Sequence, residues 1–317
     1  MSDTSSDTLY PAALTAAVTE AVETTRARLR ALLPKSAGRV ETWMQALAGG
    51  REAAAYFTHP YAFPTLLFPW WVDEGLRPDG PDLLLQRDLV RSSVNGYYFI
   101  RMIDDVMDGG GKGEVPLLPA LGFFHAEFQA IYARLFPSGH PFWELFDRQW
   151  GHTADAAIAD AALKDVDAEV FREVSAGKVS AGKIPMRAVA WRAGAELAPA
   201  WESLFDRMSR WHQFHNDFFD WRRDLEQGIE TYVLSEARRR KRPDEAVELW
   251  MVREGFEWGV ATLEGWLAEM LAGAEALPSP GFAAYLRARG EKLGQTVAAA
   301  RPGLEMMARL LRAAGGI

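Results

Sequence analysis

Carboxylates at four-residue spacing occur twice in this chain, and that spacing is what a hard cation needs. The first cluster is Asp104-Asp105-Val106-Met107-Asp108. The second is Asn216-Asp217-Phe218-Phe219-Asp220-Trp221-Arg222-Arg223-Asp224. On a helix, residues i and i+4 share a face. Asp104 and Asp108 meet that condition. Asn216, Asp220 and Asp224 form a stripe about 80° wide at roughly 100° per residue. Two such stripes on facing helices would hold hard cations. Mg²⁺ takes one or two protein carboxylates and completes its shell with water and substrate phosphate. The pattern therefore points to a diphosphate substrate held through metal.

The surroundings of each cluster sharpen this reading. The first ends its helix at Gly109-Gly110-Gly111. Three acids at a helix C-terminus oppose the macrodipole, which a chain tolerates when cations arrive from outside. The alternative is an acidic surface turn, but Tyr97-Tyr98-Phe99-Ile100-Arg101-Met102-Ile103 is too apolar for one. The second cluster lies among His212, Phe214, His215, Phe218, Phe219 and Trp221. Acids buried there need partners. Arg222 and Arg223 supply a purely structural alternative, with Arg223 at i+3 from Asp220.

Helices must position these groups. Apolar periodicity predicts them over Pro11–Leu33, Val40–Leu47, Pro81–Met107, Leu117–Phe136 and Phe142–Leu163. Further helices are expected over Ala168–Ala193, with breaks at Gly177, Gly182 and Pro185, and over Trp201–Glu226, Thr231–Arg240, Pro243–Ala274 and Pro280–Ala314. Phe63–Val72 reads as a helix broken by Pro64 and Pro69. No stretch alternates between turn residues, so no sheet is expected. Residues 1–10 read as a flexible polar tail and 11–317 as a single all-α domain.

Composition narrows the function classes. The chain has 317 residues, 49% of them hydrophobic, enough for a large core. A net charge of -8 gives no attraction to nucleic acid or to an anionic membrane surface. An acidic protein that handles an anionic substrate needs metal to screen the repulsion. With no cysteine, disulfides, thiolate zinc sites and cysteine nucleophiles are excluded. No apolar run suggests a transmembrane segment and no leader pattern is evident, so a cytoplasmic location is expected. A di-iron carboxylate bundle needs Glu three residues before His, and none of the six histidines has it.

The two motifs together resemble those of the class I isoprenoid synthases: trans-prenyl diphosphate synthases, squalene and phytoene synthases, and class I terpene cyclases. Asp104 to Asp108 is similar to their DDxxD motif. Asn216, Asp220, Asp224, Gly228 and Tyr232 look most like the second motif of squalene and phytoene synthases. The same stretch approximates the NSE/DTE motif of terpene cyclases, with acids at 220 and 224. The motifs lie about 110 residues apart on separate helices. The resemblance covers Leu83 to Leu234 and implies a helical bundle around a central active-site cavity. It also implies roughly three Mg²⁺ ions bound with a prenyl diphosphate, and a homodimer.

Departures from the family pattern favour one branch. Elongating prenyl diphosphate synthases carry a basic pair soon after the first motif and an upstream Gly-Gly-Lys. Here Gly109-Gly110-Gly111-Lys112-Gly113 follows the motif, and Gly49-Gly50-Arg51 is only a weak substitute upstream. The Arg-Tyr pair common near the C-terminus of bacterial cyclases is also missing. The sequence thus reads first as a divergent terpene cyclase, a carbon–oxygen lyase that ionises one diphosphate. A prenyltransferase, head-to-head or head-to-tail, is the alternative.

In either case Asp104, Asp105, Asp108, Asn216, Asp220 and Asp224 are the metal ligands that the resemblance implies. Arg101, Lys183, Arg222 and Arg223 are the candidate diphosphate cations, although a solvated face explains Lys183 and an ion pair explains Arg101. Tyr98, Phe99, Phe218 and Phe219 are candidate π faces for a carbocation, with core packing as the alternative. His215 is a candidate proton acceptor.

Overall fold

A computed structural model describes residues 9–107 and 115–313, the last three by backbone alone. Among them there is no strand, and the all-α expectation is met. The chain divides into two compact units. One comprises the described residues up to Gln149 together with Gly182–Leu197, and the other Trp150–Ala181 together with those from Ala198 onward.

The first unit opens with α1 (Ala12–Leu32), α2 (Ala37–Leu47), the short α3 (Ala53–Phe57) and α4 (Leu67–Leu76). Pro64 precedes α4 and Pro69 falls in its first turn. A missing N–H costs nothing there, so the expected break is instead a helix start. The long α5 (Leu83–Met107) follows and carries the first acidic cluster. A 3₁₀ segment over Val115–Ala120 leads into α6 (Leu121–Leu135). Pro116 and Pro119 hold residues 115–120 off the α geometry, which moves the helix start from the expected Leu117.

α5 packs on α1 and α6. Glu127 of α6, almost fully buried, accepts from Arg28 of α1 at 2.7 Å and from Arg91 of α5 at 2.5 Å. Asn95 of α5 donates to Thr25 of α1 at 3.0 Å. Around these pins lie Tyr98, Phe124, Phe128 and Tyr132. Each of these four buried rings contributes about 1.5–3 kcal/mol, so together they outweigh the polar pins.

α7 (Phe142–Asp160) and α8 (Ala168–Gly177) come next, the latter capped by Asp167, whose Oδ1 accepts from the N–H groups of Glu169 and Val170. The helix expected over Ala168–Ala193, with breaks at Gly177, Gly182 and Pro185, is interrupted in that region. A 3₁₀ turn at Ser180–Gly182 separates α8 from α9 (Lys183–Arg192), where Pro185 again occupies a first turn.

In the second unit α10 (Pro199–Gln227) starts with proline at its first position and carries the second cluster. It ends at Gly228, whose φ of 71° is left-handed, a geometry that glycine adopts without a Cβ penalty. α11 (Tyr232–Arg240) is capped by the Thr231 hydroxyl, which accepts from Leu234 N–H. The expected Pro243–Ala274 helix is three pieces: α12 (Val247–Trp250), a π-helical turn at Met251–Gly255, and α13 (Phe256–Ala274). The last helix is α14 (Pro280–Ala313). α10 packs on α8 and α13. Gly259 of α13 allows that closeness, since a Cβ there would overlap the Phe218 ring.

Candidate active site

α5 brings Asp104 and Asp105 to its last turn, but on different faces. At about 100° per residue, Asp105 falls in line with Tyr98 and Met102, both buried. Asp104 lies about 100° away, nearer Tyr97 and Arg101. The environments differ accordingly. One Asp105 oxygen accepts from the Trp43 indole of α2 at 3.2 Å, and the other pairs with Arg101 at 2.6 Å. Asp104 is more open, and Arg101 pairs with it at 2.7 Å. Arg101 thus spans both carboxylates. Asp108, with the glycine run and Lys112, lies outside the described residues.

Tyr98 is buried among Trp43, Phe57 and Phe124, with ring centroids 5.4–5.8 Å apart. Burial pushes its hydroxyl well above the usual tyrosine range. Phe99 is half-buried against His125 at 5.3 Å. Tyr97, two residues earlier, meets the Tyr56 hydroxyl. Lys183 opens α9, in this same unit.

On α10 the second stripe shows a gradient. Asn216 is exposed, Asp220 half-buried and Asp224 buried at 5% exposure. The cause is geometric, because each four-residue step turns about 40° toward the packed face. Arg223 pairs with Asp220 at 2.6 Å and lies 3.6 Å from Asp224. Burial pushes the Asp224 carboxyl up, against the pull of Arg223, and the Asp220 charge adds to the rise. Arg222 points elsewhere, to Glu226 at 3.1 Å.

Asn216 lies 3.5 Å from His212 Nε2. Burial and then the Arg289 guanidinium push His212 down to about 3 and His215 to about 4, so both rings are neutral near pH 7. Phe218 is buried and stacks on Phe214, 6.0 Å away, while Phe219 lies half-buried 4.8 Å from His215.

Asp217 falls off the four-residue stripe and is not among the residues expected from spacing. It is 7% exposed, accepts from Gln213 at 2.8 Å, and is pushed up to about 7 mainly by burial. A signal for it exists in the sequence: Asn216-Asp217-x-x-Asp220 repeats the spacing of Asp104-Asp105-x-x-Asp108.

Among the described residues no three His, Cys, Asp or Glu side chains gather as a ready metal site. The donor chemistry nevertheless fits a hard cation. Within each cluster two carboxylates already converge on one positive group, Arg101 or Arg223, at 2.6–3.6 Å. All the donors are oxygen, which suits Mg²⁺ over softer metals. An open groove of about 510 Å³ along α6, lined by Ala126, Gln129, Ala130 and Trp143, contains none of these acids. Among the described residues no helix is long and apolar enough to cross a membrane.

The sequence matches no family model and no curated protein. Solved structures do match. A geranylgeranyl pyrophosphate synthetase from the archaeon Geoglobus acetivorans is similar over 90% of this chain and 99% of its own, with a TM-score of 0.63 at 15% identity. A geranylgeranyl pyrophosphate synthase from Corynebacterium glutamicum covers 92% of this chain and 96% of its own, with a TM-score of 0.61 at 17% identity. A polyprenyl synthase from Caulobacter crescentus, solved with calcium and isoprenyl diphosphate, covers 82% and 94%, with a TM-score of 0.53 at 15% identity. The chain has the all-α fold of the class I isoprenoid synthases.

Proposed function

We propose that this chain is a Mg²⁺-dependent enzyme acting on a linear prenyl diphosphate, and that it is a prenyltransferase of the prenyl diphosphate synthase type. The observation that carries this is the presence, in a chain with the fold of such synthases, of two helices whose paired carboxylates converge on a cation. The neighbours move the order of the two readings. The missing basic pair favours a cyclase, whereas the solved structures similar over most of the chain are synthases. A cyclase remains the second reading, supported by Gly109-Gly110-Gly111-Lys112-Gly113 where synthases carry arginines.

In the proposed reaction Asp104, Asp105 and Asp108 of the first cluster and Asn216, Asp220 and Asp224 of the second would hold Mg²⁺. When bound, the metal stabilises charge on the departing diphosphate. Arg101 and Arg223 already face the acids and would extend to phosphate oxygens once released, and Arg222 and Lys183 are further candidate cations. An allylic cation needs dry π faces, for which Phe99, Phe218 and Phe219 are proposed. Loss of a proton from the cation needs a neutral base. His215, held near 4 by burial, is available as one at pH 7.

The test is a product assay with Mg²⁺ and geranyl, farnesyl, geranylgeranyl and geranylfarnesyl diphosphates, each with and without isopentenyl diphosphate. A longer diphosphate that appears only with isopentenyl diphosphate is the expected result. A cyclic hydrocarbon or alcohol from one substrate alone would establish the cyclase instead. No turnover of any of them by folded protein would defeat both. Asp104→Asn and Asp220→Asn should each lower kcat by about 10²-fold or more, as loss of an electrostatic stabiliser does.

A further inference from the structure

We propose that Arg101 is a resident counter-cation of the first acidic cluster, competing with divalent metal for the oxygens of Asp104 and Asp105. This inference rests on the metal-binding reading above and adds to it what sets the metal affinity of that cluster. Arg101 places Nη1 on Asp104 at 2.7 Å and Nη2 on Asp105 at 2.6 Å. A guanidinium is a planar fork, and here its two ends engage two different carboxylates. Arg101 holds one oxygen of each acid, so a divalent ion drawn to either must displace the guanidinium from that oxygen or bind beside its positive charge.

Three features make the exchange feasible. First, Arg101 and Asp104 are each about 36% exposed, so water can replace the pairing. Second, the Arg101 Nε is buried with no hydrogen-bond partner among the described residues, a desolvation cost that release would return. Third, Asp105 is not carried away when the arginine leaves. Its other oxygen is fixed by the Trp43 indole, and Trp43 is itself buried against Tyr98 and Phe124. Trp43 is therefore a positioning residue: it keeps one carboxylate in place while the other side of the cluster trades an arginine for metal.

The experiment is Mn²⁺ binding to the full chain, without diphosphate, followed by electron paramagnetic resonance of free Mn²⁺. It compares the wild type, Arg101→Met, Arg101→Lys and Asp104→Asn. The expected result is an about fivefold tighter class of sites in Arg101→Met, the size of one displaced ion pair near a surface. Arg101→Lys should fall between, because it keeps the charge but cannot bridge both acids. Asp104→Asn should remove that class.

If Asp104→Asn removes sites but both Arg101 variants bind Mn²⁺ no tighter than the wild type, the competition is overturned and the metal reading stands. The competition through a bridging fork is equally overturned if Arg101→Lys equals the wild type, since charge alone then explains the gain. If no form binds Mn²⁺ at millimolar concentration, removing the arginine has not freed a site and the proposal fails. A parallel titration with inorganic pyrophosphate then decides whether the metal reading fails as well.

Discussion

At the scale of single residues, Glu127 is the acid whose behaviour is most constrained. Burial alone would raise its pKa, but hydrogen bonds and charge from Arg28 and Arg91 outweigh that and hold it below its ordinary 4.5. A depressed carboxyl contributes stability that is fully present above the unfolded value and is lost as pH falls through the folded one. Glu127→Gln should therefore cost about 2 kcal/mol at pH 7, somewhat less than breaking a fully buried pair, because Arg28 is half exposed. Urea melts at pH 7 and at pH 3 provide the check: the variant should narrow the gap between the two, and an unchanged gap would remove Glu127 from the acid response. This pin is not legible in the sequence, because its partners come from three helices. The metal candidates are legible because their spacing is local. What spacing does not reveal is that Asp105 faces the core, since its partner Trp43 lies 62 residues away. Position on the helix likewise singles out Tyr98 without its surroundings, and the ring is walled in by core aromatics.

At the scale of elements, the long helices are legible from apolar period and end signals, and α5 and α10 fall within two residues of expectation. The departures share a cause. Pro69 and Pro185 have the look of interruptions in the sequence although each sits where a helix begins, and the 3₁₀ and π turns, three and five residues long, are too short to register in the periodicity. α10 is positioned by its contact with α13, where Gly259 meets Phe218. Gly259→Ala should be destabilising by about 1–3 kcal/mol, the cost of overpacking a core, even though alanine is the better helix former. Denaturant titration measures this. A neutral or stabilising outcome would mean that the two helices do not approach this closely. If Phe218 also lines the substrate pocket, the same variant should alter product length in the assay above.

At the scale of the whole molecule, net charge limits how an anionic substrate could bind. A chain of net charge -8 repels a free diphosphate, so anion and cation should bind together. Mg²⁺ with inorganic pyrophosphate should raise the melting temperature, by an amount equivalent to about 2.7 kcal/mol at a hundred times Kd. Pyrophosphate with EDTA should not. Differential scanning fluorimetry reads both, and an equal rise without metal would count against metal-bridged binding. The fold class is legible because helical period dominates everywhere and nothing alternates. The branch is not. Synthase and cyclase differ in a few cations and pocket walls, and part of that difference falls at residues 109–113, outside the described residues. The likeness to solved structures at 15–17% identity shows the fold and leaves the branch to the product assay.

The arginines bear on how the protein is made as well as on how it works. Arg101 and Arg223 lie within four residues of the acids they bridge, on the same helices. Their compensation is therefore available as soon as a single turn has wound, before any neighbouring helix has left the ribosome. A nascent α5 need not wait for a metal ion to relieve the repulsion at its end. On the proposed metal reading, these two helices can wind before magnesium is bound.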